Sequence, residues 1–259
     1  MTRVRLYCPE LSKHGEAKER NGLTVVALSQ EESHHAMTVL RCRRGDAVVL
    51  FDGLGREAPG EITQADRRRV LVTIGPLTEH PFDCAYPITL AVAVGKAHRQ
   101  SYLVEKCTEL GVAAIWPMIS EHSVTHPKDA AVEKWSRRAV EAAKQSGRRW
   151  APVVEPPQSF GDVLARAGGF AVAAIAHPDA KARAFLDVLS EQPAGSSILV
   201  CVGPEGGWSN EECERAGQFG AVPVWLAPTV LRVETAAVAA CAAAALLSVS
   251  GGQLPERSG

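Results

Sequence analysis

Short apolar segments that alternate with helical segments are the feature that most constrains the fold of this chain. From residue 88 onward, six such segments are rich in Val, Ile, Leu and Ala, and stretches of helical periodicity separate them. Strands that alternate with helices form a parallel sheet covered by helices on both faces. We therefore predict an α/β fold with strands at Ile88–Val94, Ala114–Ile119, Pro152–Glu155, Phe170–Ala176, Ile198–Val202 and Val222–Leu226.

The first 74 residues have a different pattern, which predicts a separate β-rich domain. Several short strands are expected there, with one short helix that begins at the capping box Ser29–Glu32. Residues 75–87 contain three prolines and no periodicity, so we predict a linker. The predicted domains are 1–74, which fits an RNA-binding barrel among other small β-domains, and 88–250. Residues 251–259 are predicted to be a disordered tail.

The cysteines and the apolar runs indicate the cellular setting. Seven cysteines are scattered without a C-x-x-C pair, which is typical of reduced thiols in a cytoplasmic protein and gives no support for zinc. Residues 1–10 lack the apolar core of a signal peptide, and the apolar run 236–247 is too short to span a bilayer. We expect a cytoplasmic protein without metal or membrane segment, in which residues 236–247 form a buried helix.

Charge is distributed unevenly along the chain. Residues 95–150 contain 10 Lys or Arg against 6 Asp or Glu, whereas residues 151–259 contain 6 against 11. The helix predicted at 130–147 has a basic stripe that includes Lys134, Arg138 and Arg148. Such a stripe fits a phosphate backbone, and a solvated helix surface is the alternative.

The segment VGPEGGWSNEE, residues 202–212, predicts a ligand site at the end of a strand. Its glycines surround Glu205, and a capping box that begins the next helix follows them. Ligands on parallel sheets bind beyond the carboxyl ends of the strands. The segment matches neither a dinucleotide-binding pattern nor a P-loop, and its acidic residues disfavour phosphate. A neutral or cationic ligand is therefore predicted, with a tight turn that binds nothing as the alternative.

Two further loops follow predicted strands of the same sheet. Residues 226–236 contain Arg232 and Glu234 just before the Ala-rich helix, and residues 176–178 read Ala-His-Pro. At a sheet end, Arg232 and Glu234 are expected to converge on a pocket. A local ion pair between them that caps the helix is the alternative.

Together these stretches resemble one known family. The matching segments occur in family order and span almost the whole chain: VRLY, HHAMTVLRCRRGD, LFDG, VEKCTELGVAAIWPMISEHSV, EKWSRRAVEAAKQSGRR, VGPEGGWSNEE and LAPTVLRVETA. They are similar to the 16S ribosomal RNA uridine N3-methyltransferases of the SPOUT superfamily. GPEGG together with VLR-x-ET is the most specific part of the resemblance.

The resemblance implies a fold, a cofactor and a substrate. The expected fold is an N-terminal PUA-like β-barrel that helps to bind RNA, and a SPOUT domain with a deep trefoil knot at about 177–240. The expected homodimer uses S-adenosylmethionine to methylate N3 of uridine 1498 in the 16S rRNA of the small ribosomal subunit. Ribose 2′-O methylation, a non-catalytic RNA-binding or ribosome-assembly protein, and a nucleotide-dependent oxidoreductase are the alternatives.

The resemblance also implies roles for individual residues. The cofactor is expected to contact His177, Gly203, Pro204, Glu205, Gly206, Gly207, Leu226, Ala227, Leu231, Thr235 and Ala236. RNA is expected to contact Arg5, His35, Arg41, Arg43, Arg44, Lys96, Lys134, Arg138 and Arg148. The chain departs from the family pattern at Ala227, Thr229 and His122, where the family often has glycine, arginine and arginine.

The chemistry of the expected reaction suggests three catalytic candidates. Uridine N3 is a poor nucleophile while it is protonated, and its deprotonation spreads negative charge over the flanking carbonyl oxygens. A fixed guanidinium stabilises that charge; Arg232 is the first candidate for it and Arg5 the second. Glu234 either accepts the proton or holds Arg232, and the sequence leaves both roles open.

Overall fold

The computed structural model describes residues 4–11, 19–20, 23–66, 69–125, 127, 129–177 and 182–250. The described chain forms two compact units, the first from residues up to Asp83 together with Ala143–Ala151, and the second from Cys84–Ala142 and residues 152–250. Residues 143–151, expected in the second domain, thus cluster with the first unit. The predicted linker 75–87 stays a prediction, and the predicted tail 251–259 lies outside the described residues.

The first unit is built on a seven-stranded mixed sheet with one helix. Its elements are β1 (Val4–Tyr7), β2 (Glu19–Arg20), β3 (Leu23–Ala27), α1 (Gln30–Thr38), β4 (Ala47–Phe51), β5 (Arg56–Ala65), β6 (Val70–Ile74) and β7 (Thr78–Glu79). The strand order is β1-β4-β5-β6-β3-β2, with β7 beside β5. β1 runs parallel to β4 and the other pairs are antiparallel. The inward residues Leu6, Leu50 and Ile62 are fully buried and form the core of this sheet.

The start of α1 differs in one respect from the predicted capping box. Ser29 Oγ accepts a hydrogen bond from the Glu32 N–H at 3.1 Å, as expected. The Glu32 carboxylate, however, accepts a hydrogen bond from the Tyr7 N–H at 3.0 Å and pairs with Lys144 Nζ at 2.9 Å. Because the side chains of Glu32 and Lys144 are 9% and 4% exposed, this buried ion pair fastens residues 143–151 into the first unit.

The second unit confirms the predicted parallel α/β fold. Its strands are β8 (Ile88–Ala93), β9 (Ala114–Ile119), β10 (Val153–Val154), β11 (Gln158–Ser159), β12 (Val172–Ala176), β13 (Arg183–Ala184), β14 (Ile198–Val202) and β15 (Val222–Trp225). Its helices are α2 (Ala97–Glu109), α3 (Asp129–Ser146), α4 (Phe160–Ala165), α5 (Phe185–Ser190), α6 (Asn210–Gln218) and α7 (Val233–Ser250), with a 3-10 turn at Ala167–Gly169.

Every strand pair in this sheet is parallel. The order is β10-β9-β8-β14-β12-β15-β13, with β11 also beside β9. All residues of β8 and β14 are buried, which explains why these strands are continuous apolar runs rather than alternating ones. The predicted strand at 152–155 shrinks to two residues. The trefoil knot at about 177–240 stays a prediction.

α7 is apolar on all sides and is the one helix in the described part of the chain that is long and apolar enough to span a membrane. It packs against α2, α5, β8 and β14, and its inner residues Ala237 and Ala240 are fully buried. These contacts make it a core helix of the second unit. Its outer side is not covered: Leu246 is 70% exposed and Val249 is 53% exposed.

Candidate functional site

A cavity of ≈ 260 Å³ lies at the carboxyl ends of three neighbouring parallel strands, β14, β12 and β15. Ala176 is the register partner of both Val202 and Val224, so the three strands end side by side. Each strand is followed by one of the loops singled out in the sequence. Of the residues expected to contact the cofactor, His177, Gly203, Pro204, Glu205, Gly207, Leu226, Ala227, Leu231 and Ala236 line the cavity.

Gly206 and Thr235 do not line the cavity. A Cβ at Gly206 would lie 2.9 Å from the Cβ of His122, so this glycine is needed for packing against the turn after β9. The His122 ring donates from Nδ1 to the Gly207 carbonyl at 3.1 Å, because a carbonyl oxygen only accepts. Gly207 has φ +74°, which favours glycine, and faces open space. It is therefore Gly207, rather than Gly206, that leaves room for a ligand.

The loop after β14 is held in place by Trp208. The indole Nε1 donates to the Ala176 carbonyl at 2.9 Å, and the ring lies so close to Gly203 that a Cβ there would be 2.7 Å from it. The helix that follows begins with the predicted capping box, in which Ser209 and Glu212 each accept the other's backbone N–H. The loop is thus fixed at both ends before any ligand binds.

The lining of the cavity is poorly suited to phosphate. Among the described residues, its wall contains one carboxylate, Glu205, and no lysine or arginine. The Nδ1 atom of His177 is buried and has no hydrogen-bond partner among the described residues, so it is available to a polar group of a ligand. No cluster of three His, Cys, Asp or Glu side chains suited to a metal occurs in the part of the chain that the structure describes. These features favour a ligand with positive charge and neutral polar groups.

Arg232 and Glu234 lie at the start of α7, next to the cavity, but do not pair with each other. Glu234 Oε1 is 3.6 Å from Arg99 Nε, and Arg99 Nη1 is 3.3 Å from Glu205 Oε1. Arg232 is exposed, and its side chain makes no hydrogen bond or ion pair in the described ranges. The predicted alternative, a local Arg232–Glu234 cap, is therefore wrong.

Arg99 is the site residue that the sequence did not reveal. In the sequence it stands three residues after Lys96, in a stretch without a local signal for the pocket. The informative signal is its place in the first turn of α2, directly after β8, because β8 is the sheet neighbour of β14.

The family models match both units. The RNA methyltransferase domain model matches residues 83–245, and the RNA methyltransferase PUA domain model matches residues 28–75. The Ribosomal RNA small subunit methyltransferase E of Mycobacterium bovis is 36% identical over 236 residues, which cover 86% of this chain and 87% of that protein. The protein of the same name from Bacillus subtilis is 31% identical, over 84% of this chain and 88% of its own length. This chain belongs to the ribosomal RNA small subunit methyltransferase E family.

A solved structure of the same family has the same fold. The Neisseria gonorrhoeae Ribosomal RNA small subunit methyltransferase E bound to S-adenosyl methionine is 28% identical and superposes with a TM-score of 0.78, covering 95% of this chain and 98% of that chain. The predicted family, the PUA domain and the SPOUT-type α/β domain are thereby confirmed. As a member of the methyltransferase E family, the protein is an RNA methyltransferase.

In this methyltransferase E chain, Arg5 is engaged inside the first unit. Its guanidinium pairs with Glu57 at 3.0 Å, donates to the Arg148 carbonyl at 3.1 Å and lies 4.8 Å from the centre of the Phe51 ring. Glu57 also pairs with Arg149 at 2.9 Å. Burial acts to raise the pKa of Glu57, but hydrogen bonds and charge from the two arginines outweigh it and hold the pKa below its usual 4.5. Arg5 thus contributes to a buried ion-pair network.

The residues expected to bind RNA fall into two groups. Arg148 is 7% exposed and forms a two-pronged ion pair with Asp83, with both distances 2.7 Å. The Arg148 guanidinium is therefore bound to a carboxylate of the first unit, whereas the resemblance implies an exposed contact with an RNA phosphate. His35 is half-buried. The exposed members are Arg41, Arg43 and Arg44 in the first unit and Lys96, Lys134 and Arg138 in the second.

Proposed function

We propose that this protein transfers the methyl group of S-adenosylmethionine to N3 of uridine 1498 in the 16S rRNA of the small ribosomal subunit, in the cytoplasm. The observation that carries the proposal is a cavity with one carboxylate and no cation in its described wall, beside an arginine that pairs with none of the described residues, in a chain of the methyltransferase E family. Relatives of that name act on small-subunit rRNA by their description, and the Neisseria protein was crystallised with S-adenosyl methionine.

The residues of the cavity fit S-adenosylmethionine. This cofactor has a sulfonium cation and a neutral nucleoside and no phosphate, which matches a wall with one carboxylate and no lysine or arginine among its described residues. Gly203 and Gly207 let the backbone approach a nucleoside closely, and His177 Nδ1 is free to bond a polar group. When bound, the cofactor supplies an activated methyl group, so the task of the chain is mainly to place the acceptor.

Arg232 is proposed to stabilise the deprotonated uridine. Its side chain is exposed and makes no hydrogen bond or ion pair with the described residues, and its neighbours Leu231 and Val233 line the cavity, so its charge is available to the carbonyl oxygens that flank N3. Glu234 is paired with Arg99, which supports an orienting role more than that of a general base. Because the target base lies within folded RNA, it must be unstacked to reach Arg232. Arg5 remains the second candidate, although its contacts support a structural role.

RNA binding is proposed to use the exposed cations of each unit. Arg41, Arg43 and Arg44 occupy the loop between α1 and β4, and Arg41 holds an uncommon φ of +54° there. Lys134 and Arg138 are exposed on α3, whereas the adjacent Trp135 and Ala139 are buried. Such separated cations bind phosphates without reading sequence, so we propose that they orient the subunit RNA, leaving the choice of base to the pocket.

A homodimer is proposed to form through the second unit. The uncovered side of α7, with Leu246 and Val249, and the exposed Trp225 form apolar surface that a monomer leaves in water. A symmetric pair buries the same patch of both copies. We also propose the trefoil knot at about 177–240, which encloses the three loops of the cavity.

The decisive experiment is methyl transfer from labelled S-adenosylmethionine to small subunits that lack the modification, followed by mapping of the product. Label at N3 of uridine 1498 is expected. Label on a ribose 2′-oxygen would support the nearest alternative, and tight RNA binding without transfer would support the non-catalytic one.

Cofactor binding has its own test in the Ala227→Trp variant. Ala227 lines the cavity, and an indole there fills space that the cofactor needs. Calorimetry should show one S-adenosylmethionine site per chain in the wild type and none in the variant. Ala130→Trp, on the exposed first turn of α3, is the matched control and should bind normally. Binding of ATP or NAD in place of S-adenosylmethionine would contradict the proposal.

A further inference from the structure

Three charged side chains from three different elements form a row at the rim of the cavity. Arg99 lies on α2, Glu205 follows β14 and Glu234 lies in the first turn of α7. Arg99 is in contact with both carboxylates, at 3.3 Å to Glu205 and 3.6 Å to Glu234. The side chains are 27%, 49% and 14% exposed, so Glu234 is the most enclosed of the three.

Glu234 contacts one guanidinium group, that of Arg99, and a second arginine precedes it in the chain. Arg232 is two residues away at the same helix start, and Arg99 comes from α2. In the structure Glu234 pairs with Arg99, while Arg232 is exposed and has no partner in the part of the chain that is described. The Glu234 carboxylate thus compensates Arg99 and leaves the charge of Arg232 uncompensated among the described residues.

We propose that Arg99 is a positioning residue that holds Glu234 away from Arg232, so that the Arg232 guanidinium stays free for the target base. This inference rests on the proposed function, in which Arg232 stabilises a deprotonated uridine. A carboxylate on Arg232 would cancel the charge that the base needs, and it would repel the base as negative charge develops. Arg99 thus acts on the reaction through Glu234 and not by touching the uridine.

A four-variant cycle tests the inference: wild type, Arg99→Gln, Glu234→Gln and the double variant. Arg99→Gln releases Glu234 to pair with Arg232. An exposed ion pair shifts such an equilibrium by a modest factor, so kcat should fall about five-fold, with KM for the RNA subunit little changed. In the double variant no carboxylate remains to occupy Arg232, so kcat should recover towards that of Glu234→Gln.

Two comparisons separate this role from simpler ones. If Glu234 were the general base, the double variant would be at least as slow as Arg99→Gln, and the inference would be wrong. Arg99→Lys keeps a cation beside Glu234 and should restore part of the lost kcat. Combining Arg99→Gln with Glu205→Gln removes only the other carboxylate of the row and should not restore kcat, which distinguishes an effect on the cofactor loop from one on Arg232.

A second readout does not depend on methyl transfer. Phenylglyoxal modifies arginine side chains, and an ion-paired guanidinium reacts more slowly, so mass spectrometry of Arg232 reports its freedom in the cofactor-free protein. We expect slower labelling of Arg232 in Arg99→Gln and wild-type labelling in the double variant. Equal labelling in all four proteins would overturn the inference. If Arg232 shows the expected labelling in all four proteins but the wild type does not methylate uridine, the proposed function is wrong. The role of Arg99 in keeping Arg232 free would then still hold.

Discussion

The roles of Arg232 and Arg5 can be separated by one matched pair of substitutions, Arg232→Ala and Arg5→Ala. Both remove a guanidinium from a residue considered for catalysis, yet the structure places them in opposite settings. Arg232 is exposed and without a side-chain partner in the described residues, whereas Arg5 is 13% exposed and makes three kinds of contact.

The magnitudes follow from those contacts. Arg5→Ala loses an ion pair with Glu57 at 3.0 Å, a hydrogen bond to the Arg148 carbonyl at 3.1 Å and a cation–π contact with Phe51 at 4.8 Å. Glu57 keeps Arg149 as a partner at 2.9 Å, so the loss is less than that of a buried charge left alone. We expect a destabilisation of about 2–4 kcal/mol. Arg232→Ala breaks no hydrogen bond or ion pair among the described residues and should change stability by less than about 0.5 kcal/mol.

The rates should show the reverse order. Loss of one donor that stabilises transition-state charge costs about 100- to 1,000-fold, so Arg232→Ala should bind cofactor and RNA and methylate far more slowly. Raising the pH should recover part of its rate, because N3 then ionises without help. Arg5→Ala should keep the wild-type rate per folded molecule at low temperature.

Stability is best followed by hydrogen exchange of peptides that cover β4, which reports the first unit alone, and the rate by single-turnover transfer to small subunits. An Arg232→Ala protein that is unfolded or cannot bind cofactor would refute the catalytic role. An Arg5→Ala protein as stable as wild type but slow would make Arg5 the catalytic arginine.

Three further predictions test other features. Because the pKa of Glu57 is held below 4.5, its charge stabilises the first unit above that pH, and this stabilisation is lost as the pH falls through the lowered pKa. Glu57→Gln should therefore be less stable than the wild type at pH 7, and the two proteins should become equally stable in acid. Urea unfolding midpoints measure the difference. Arg138→Glu should weaken RNA binding and flatten its salt dependence while cofactor affinity is unchanged. Arg183→Glu is the control, because each of the two arginines is half-exposed and paired with one glutamate. Equal loss of RNA affinity in both variants would mean a general charge effect. Leu246→Glu should convert a particle of about twice 27.6 kDa to one chain in sedimentation, and a fully active wild-type monomer would exclude the dimer.

The parallel sheet and the three loops were predictable because their signals are local. VGPEGGWSNEE combines the end of a buried strand, a glycine turn and a capping box within 11 residues, and each of these is set by neighbouring residues. The predicted convergence on one cavity followed from the rule that parallel strands end at the same edge. The same rule does not tell which side of the glycine loop faces the ligand, and the structure shows Gly206 against His122 rather than in the lining of the cavity.

The features that the sequence did not reveal depend on contacts between distant segments. Glu32 was expected to close its own capping box, but the buried Lys144 is a stronger partner for its charge. Arg148 belongs to a basic stripe by spacing, yet Asp83 binds it inside the first unit. Arg99 belongs to the site through the adjacency of β8 and β14, which no local pattern encodes. In each case a long-range ion pair decided the position of the side chain.

The place of residues 143–151 in the first unit sets the order in which that unit can be completed during synthesis. Lys144 lies 112 positions after its partner Glu32, and Arg148 and Arg149 supply the cations for Asp83 and Glu57. At about 5–20 residues per second, the ribosome needs about 3–12 s to add residues 84–142 before these partners emerge. Until then the nascent first unit contains three carboxylates, those of Glu32, Glu57 and Asp83, without their partners from this segment. A fragment ending at residue 83 would remain permanently in that unfinished state.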